Sequence, residues 1–216
     1  MNYKNNRYEL SINDAKKIQT FLLKIKEETY PEPPSQLHSK ITNDMLEHFF
    51  SKYSLPSKTK VLDIGCGQGV ALEIFERKGL APIGITLNSE DVRVCRDKGY
   101  EVYEMDQSFL DFEDRSFDFV WCRHCIEHSI FPYFTLSEIY RVLTLNGYVY
   151  IEVPAPDTNC RHQENPNHYS TLGKSLWLSL IKRTGFNILE VLDINFTVPA
   201  GSDTYWAIIA QKTSEI

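Results

Sequence analysis

The chain has 216 residues, enough to bury a full hydrophobic core without disulfide or metal staples, and its 42% apolar and 24% charged residues are ordinary for a globular chain. A net charge of −6 without a long basic run is a poor footprint for nucleic-acid binding, so a nucleic-acid partner is not expected. Five cysteines read as reduced thiols, Met1 to Leu10 is polar, and no window approaches the roughly 20 apolar residues of a membrane span; these features predict a soluble, cytoplasmic protein of undetermined oligomeric state.

Residues 11–29 carry helical spacing, with Ile12, Ala15, Ile18, Leu22 and Ile25 on one face and Asn13-Asp14 offering a cap. Pro31, Pro33 and Pro34 end this helix and force an extended connection. A second helix is predicted over roughly 42–53, with Met45, Leu46, Phe49 and Phe50 as its apolar side. Residues 1–55 therefore read as an N-terminal helical cap, and 56–216 as the main domain.

From Lys60 the pattern changes. Short apolar runs at 60–64, 81–86, 101–104, 117–122, 147–153, 187–194 and 204–211 alternate with helical stretches near 68–78, 90–98, 133–143 and 171–184. This predicts an α/β fold, a seven-stranded and mostly parallel sheet with helices on both faces. Only the turn around Pro199-Ala200-Gly201-Ser202 separates the last two strands, so the last strand is expected to be antiparallel.

Lys60 to Ile64 reads as a strand carrying a carboxylate, Asp63, followed by glycines at 65, 67 and 69. Glycine permits a tight turn and a close approach of backbone to a ligand. The helix from about Gln68 presents free N–H groups at its N-terminus, suited to a ligand carboxylate. A dinucleotide site needs G-x-G-x-x-G, whose third glycine falls at Val70, and this argues against a nicotinamide dehydrogenase.

Asp63-Ile64-Gly65-Cys66-Gly67-Gln68-Gly69 resembles the first motif of the class I S-adenosylmethionine-dependent methyltransferases, and the resemblance runs over roughly residues 40–212. It implies a Rossmann-like fold and S-adenosyl-L-methionine as cofactor. Asp63 would lie near the cofactor's amino group, with Gly65, Cys66, Gly67 and Gly69 along its methionine and ribose parts. Family members often carry a ribose-binding acid at the end of the second strand; here Thr86 stands there, followed by Leu87. The Gly84-Ile85-Thr86-Leu87 run also resembles the fatty-acid cyclopropane synthases. Thr86 either serves the ribose with its hydroxyl or is a plain β-branched strand residue. The resemblance puts Asp106, beside Gln107, at the adenine amino group; the other reading of Asp106 is a turn cap.

The fourth strand runs into Arg123-His124-Cys125-Ile126-Glu127-His128. This resembles the segment that small-molecule methyltransferases end in Glu-His. Open α/β sheets bind ligands at the carboxyl ends of their strands, so residues 123–128 sit where the methyl points, with Arg123 and His124 on the cofactor side. His128 either accepts a proton from the acceptor or holds its loop by a hydrogen bond. Cys122 and Cys125 form a C-x-x-C without a second pair, so no metal site is expected. The irregular segment 154–170 is expected to cover the acceptor, with His168 as a candidate base and Tyr169 as a pocket wall. The expected activity is methyl transfer to an O, N or C atom of a small-molecule acceptor such as a sugar, lipid or other metabolite. The alternative is a non-catalytic protein that keeps the fold and binds the cofactor.

Overall fold

The computed structural model describes residues 10–214. The N-terminal reading made on Met1 to Leu10 lies outside the described residues except for its last position. The strands are β1 (Lys60–Ile64), β2 (Ala81–Thr86), β3 (Val102–Glu104), β4 (Phe117–Arg123), β5 (Leu143–Pro154), β6 (Phe186–Val198) and β7 (Gly201–Lys212). The helices are α1 (Ile12–Glu27), α2 (Gln36–Lys52), α3 (Val70–Arg77), α4 (Ser89–Asp97), α5 (Pro132–Val142) and α6 (Lys174–Arg183).

All seven strands form one sheet in the order β3-β2-β1-β4-β5-β7-β6. β1 pairs in parallel with β2 and β4, and β4 with β5, whereas β7 runs antiparallel to both β5 and β6. The β6–β7 turn pairs Val198 with Gly201 and is too short for a parallel crossover. The predicted α/β sheet with its antiparallel last strand is observed. The chain builds outward from β1 to β3, then returns to the other side of β1 with β4. This reversal leaves a crevice at the carboxyl ends of β1 and β4, the usual ligand position in such sheets.

Both faces of the sheet are covered, which is why its central strands read as continuous apolar runs. On one face Leu62, Val120 and Ile151 pack with Leu136 and Ile139 of α5 and Trp177 and Ile181 of α6. On the other, Val61, Phe119 and Trp121 pack with Leu46 and Phe49 of α2 and Phe75 of α3. Phe49 stacks on Phe119 with ring centroids 4.3 Å apart, which ties α2 into the core.

Several boundaries differ from expectation for local reasons. α2 begins at Gln36, because the Ser35 hydroxyl accepts the His38 N–H at 3.1 Å and starts the helix ahead of its apolar stretch. Ser11 caps α1 in place of Asn13-Asp14, accepting from the Asp14 N–H. Of the apolar face predicted for α1 only Ile25 is buried, Ile18 and Leu22 are half-buried, and Ile12 is 77% exposed, so coverage grows toward the C-terminal end of the helix. β5 starts at Leu143, with Asn146 at φ 66° inside it, beside an irregularity between Phe117 and Phe119 of β4. Among the described residues, no helix is long and apolar enough to cross a membrane.

Candidate functional site

β1 delivers Asp63 to the carboxyl end of the sheet, where it is 2% exposed. One of its oxygens, Oδ2, is buried without a hydrogen-bond partner. Burial pushes the Asp63 pKa up to about 8, with the Cys95 thiol adding to the rise and Arg123 opposing it. The loop that follows is pinned on both sides. At Gly65, φ 75°, a Cβ would stand 2.8 Å from Cys125, and at Gly67, φ 47°, it would stand 3.3 Å from the Glu32 carbonyl. An orphaned acid beside bare backbone suits a cationic group on a ligand that lies along the loop.

A narrow slot of about 100 Å³ lies over the ends of β1, β2 and β3. Thr86, Leu87, Asp106 and Gln107 all line it, between apolar walls that include Ile64, Ile85 and Met105. Asp106 Oδ1 accepts the Ser108 N–H at 2.7 Å, so it caps its turn while facing the slot, and burial raises its pKa. Gln107 donates to the Cys125 carbonyl at 2.9 Å and leaves its own Oε1 without a partner. The Thr86 hydroxyl accepts the Asn88 N–H at 3.3 Å. Asp91, 1% exposed, also lines the slot and receives the Gln68 side chain and the Glu32 N–H, each at 3.1 Å.

A wider cavity of about 510 Å³ continues from Asp63 past the ends of β4, β6 and β7. Its floor is charged. Arg123 Nε lies 2.8 Å from Glu152 Oε1, and His124 Nε2 lies 3.1 Å from the same oxygen. His124 Nδ1 lies 3.3 Å from Glu127 Oε1. Burial works against a charged His124, but Glu127 and then Glu152 outweigh it and hold its pKa above the usual value. His128 Nδ1 sits 2.8 Å from the Asn167 carbonyl, and His168 Nδ1 sits 2.9 Å from the His162 carbonyl. Each carbonyl accepts a hydrogen bond from Nδ1–H, so in the neutral ring the lone pair is on Nε2. Burial pulls the His168 pKa down to about 4, so that ring is neutral near pH 7.

The proline-rich connection between α1 and α2 crosses the glycine loop as a strap. Asn167 Nδ2 donates to the Glu28 carbonyl at 3.0 Å, and the Tyr169 hydroxyl donates to Glu28 Oε2 at 2.6 Å. The strap and the 154–170 segment thus meet over the slot.

Residues 62–151 match the family model of a methyltransferase domain. The chain is 29% identical over 172 residues to a sterol 24-C-methyltransferase of Schizosaccharomyces pombe, covering 68% of this chain and 45% of that protein. It is 31% identical over 104 residues to a ubiquinone biosynthesis O-methyltransferase of Hahella chejuensis, covering 45% of this chain and 43% of that protein. The chain thus spans less than half the length of these relatives. The solved structure of Haemonchus contortus phosphoethanolamine N-methyltransferase 2 in complex with S-adenosyl-L-methionine superposes with a TM-score of 0.67 at 18% identity, over 80% of this chain and 53% of that one. Residues 62–151 are thus similar to the methyltransferase-domain family, and the sheet shares the fold of solved S-adenosylmethionine-dependent methyltransferases.

Asp63, Gly65, Cys66, Gly67, Arg123 and His124 all border the wider cavity, and Gly65, Gly67 and His124 border the slot as well. Gly69 lines neither; a Cβ there would meet the Tyr100 ring at 3.1 Å. His128 reaches both cavities, and His168 only the wider one. Tyr169 borders the slot and not the wider cavity, because its hydroxyl is drawn to Glu28. Sequence reasoning missed Asp91, Glu152 and the strap. Glu152 carries a readable signal, a charge inside the apolar run Tyr150-Ile151-Glu152-Val153, which a doubly covered strand can bury only with a partner.

Proposed function

We propose that this methyltransferase binds S-adenosyl-L-methionine along the slot and the glycine loop, and methylates an O, N or C atom of a small molecule held in the wider cavity. The unpartnered Oδ2 of Asp63, on the wider cavity beside Gly65, which borders both cavities, carries this reading. When bound, the cofactor supplies a sulfonium-activated methyl group. Asp63 accepts the ammonium, and Gly65, Cys66 and Gly67 leave room for its chain. Gly69 holds the loop from behind against Tyr100. Thr86 and Leu87 border the ribose, and Asp106 with the free Oε1 of Gln107 receives the adenine amino group. Arg123 and His124, tied to Glu152, keep the floor rigid. His128 and His168 offer Nε2 to the acceptor side. Residues 1–55 act as a cap on the 56–216 domain, and their strap excludes water and aligns the reactants.

Calorimetric titration of the full chain with S-adenosyl-L-methionine tests the first half, and a folded sample that takes up none overturns it. Transfer of a labelled methyl group into a metabolite extract tests the second. The rival reading, binding without transfer, draws on the Thr86 hydroxyl being engaged by Asn88. It predicts cofactor uptake with no labelled product from any extract.

A further inference from the structure

The wider cavity holds a group of side chains that methyl transfer from a sulfonium does not by itself require. One ligand atom from each of Glu127, His128 and His168 lies within 4.8 Å of the others. Glu127 is 1% exposed, yet neither of its carboxylate oxygens has a hydrogen-bond partner. Its nearest charged neighbour is His124, at 3.3 Å from Oε1 and out of hydrogen-bond alignment. The His128 and His168 rings stand at 85° to each other with centroids 4.8 Å apart. Each ring is held by a carbonyl on Nδ1, from Asn167 and His162 respectively, which turns Nε2 into the free donor atom. Metal-binding imidazoles are commonly fixed in this way, by a carbonyl or carboxylate on the far nitrogen. A buried carboxylate whose nearest charged neighbour, His124, stands out of alignment, beside two imidazoles with Nε2 free, is a set that a Lewis acid can join.

We propose that Glu127, His128 and His168 form a binding site for a first-row divalent transition-metal ion, and that an acceptor bearing two adjacent oxygens completes its coordination. Two imidazoles and one carboxylate suit ions such as cobalt, zinc, manganese or ferrous iron, and they leave positions open on the cavity side. Magnesium and calcium prefer oxygen ligands throughout. An ion at this place would acidify a coordinated hydroxyl, which a small-molecule O-methylation needs. The acceptor class, a catechol, vicinal diol or α-hydroxy acid, rests on the methyl-transfer reading; the ion site does not. A second trio, Cys160, His162 and Asp203, is also compact. There His162 Nε2 already bonds both Asp203 oxygens, at 3.0 and 2.9 Å, so that set is satisfied without an ion.

The test is a Co²⁺ titration of the chelator-stripped full chain, followed by visible absorption. One equivalent is expected to bind, E127Q and H168Q each weaken it by at least about tenfold, and D203N leaves it unchanged. H168Q, on an irregular segment, keeps the test alive if E127Q does not fold. Absence of binding up to roughly millimolar Co²⁺, equal binding by E127Q and H168Q, or loss confined to D203N overturns the site. Catechol, ethylene glycol and lactate are added in turn; a band shift with at least one is expected, and a spectrum unchanged by all three overturns the acceptor class. Calorimetry with S-adenosyl-L-methionine on the same samples separates the two readings. Cobalt bound without cofactor uptake counts against the methyltransferase reading alone, and cofactor uptake without cobalt counts against the ion site alone.

Discussion

The slot and the wider cavity share Gly65, Gly67, His124 and His128, yet they are built on different principles. The slot is mainly a product of local chain geometry. Three consecutive parallel strands end side by side, and residues at or just past each end, Gly65, Thr86 and Asp106, border one space. The wider cavity collects charged and titratable side chains from α2, β1, β4, β7 and the 154–170 segment. Its shape depends on buried ion pairs and not on turns. The difference predicts a slot tolerant of single side-chain changes and a cavity intolerant of them.

The largest effect is expected at the cavity floor. Glu152 is fully buried and holds Arg123, His124 and the Tyr150 hydroxyl. Glu152→Ala leaves cations buried without a partner and should cost about 3–5 kcal/mol of stability, measured by denaturant unfolding. A loss no greater than a surface substitution would break the comparison.

Asp63, at the junction, comes next. Asp63→Asn should weaken cofactor binding about 100-fold, from loss of a buried charge-assisted contact worth on the order of 3 kcal/mol. Its raised pKa, about 8, has two consequences of definite sign. The folded, cofactor-free protein holds a proton on Asp63 that the unfolded chain releases above the ordinary carboxylate range. This contribution to stability is therefore fully present at low pH and lost as pH rises toward 8. An ammonium partner favours the ionised acid, so cofactor binding near pH 7 should expel a proton and strengthen as pH is raised toward 8. Calorimetry in two buffers of different ionisation enthalpy reads that proton, and D63N should show neither proton nor slope.

The smallest effect is expected at the slot's edge. Tyr169→Phe removes the hydrogen bond to Glu28 that joins the 154–170 segment to the strap. A loss of about 1 kcal/mol, roughly fivefold in cofactor affinity, is expected, chiefly as faster release. A change as large as that of D63N would mean that closure, and not the Asp63 contact, dominates binding.

The two regions also differ in how far they were legible. β1 and β2 lie where their apolar runs put them, and Asp63, Thr86 and Asp106 sit at or near the ends of the first three strands. α1 shows the limit of the same signal. Its periodicity says which face would pack, not whether anything lies against it, and Ile12 stays exposed. His168 was legible as a candidate base in an irregular loop, but nothing in the sequence singled out Asp203.

Taken alone, then, the amino-acid order determined the sheet, its antiparallel last strand and the cofactor loop, because strand period, glycine spacing and turn length act over a few neighbouring residues. The tertiary structure alone decided that Glu127, His128 and His168 meet, that Glu152 neutralises Arg123 and His124, and that the proline strap closes the slot. Those contacts join residues far apart in the chain, and no local rule links them. They exist only because burying both faces of the sheet brings its loops to one end, where desolvated charges must find one another.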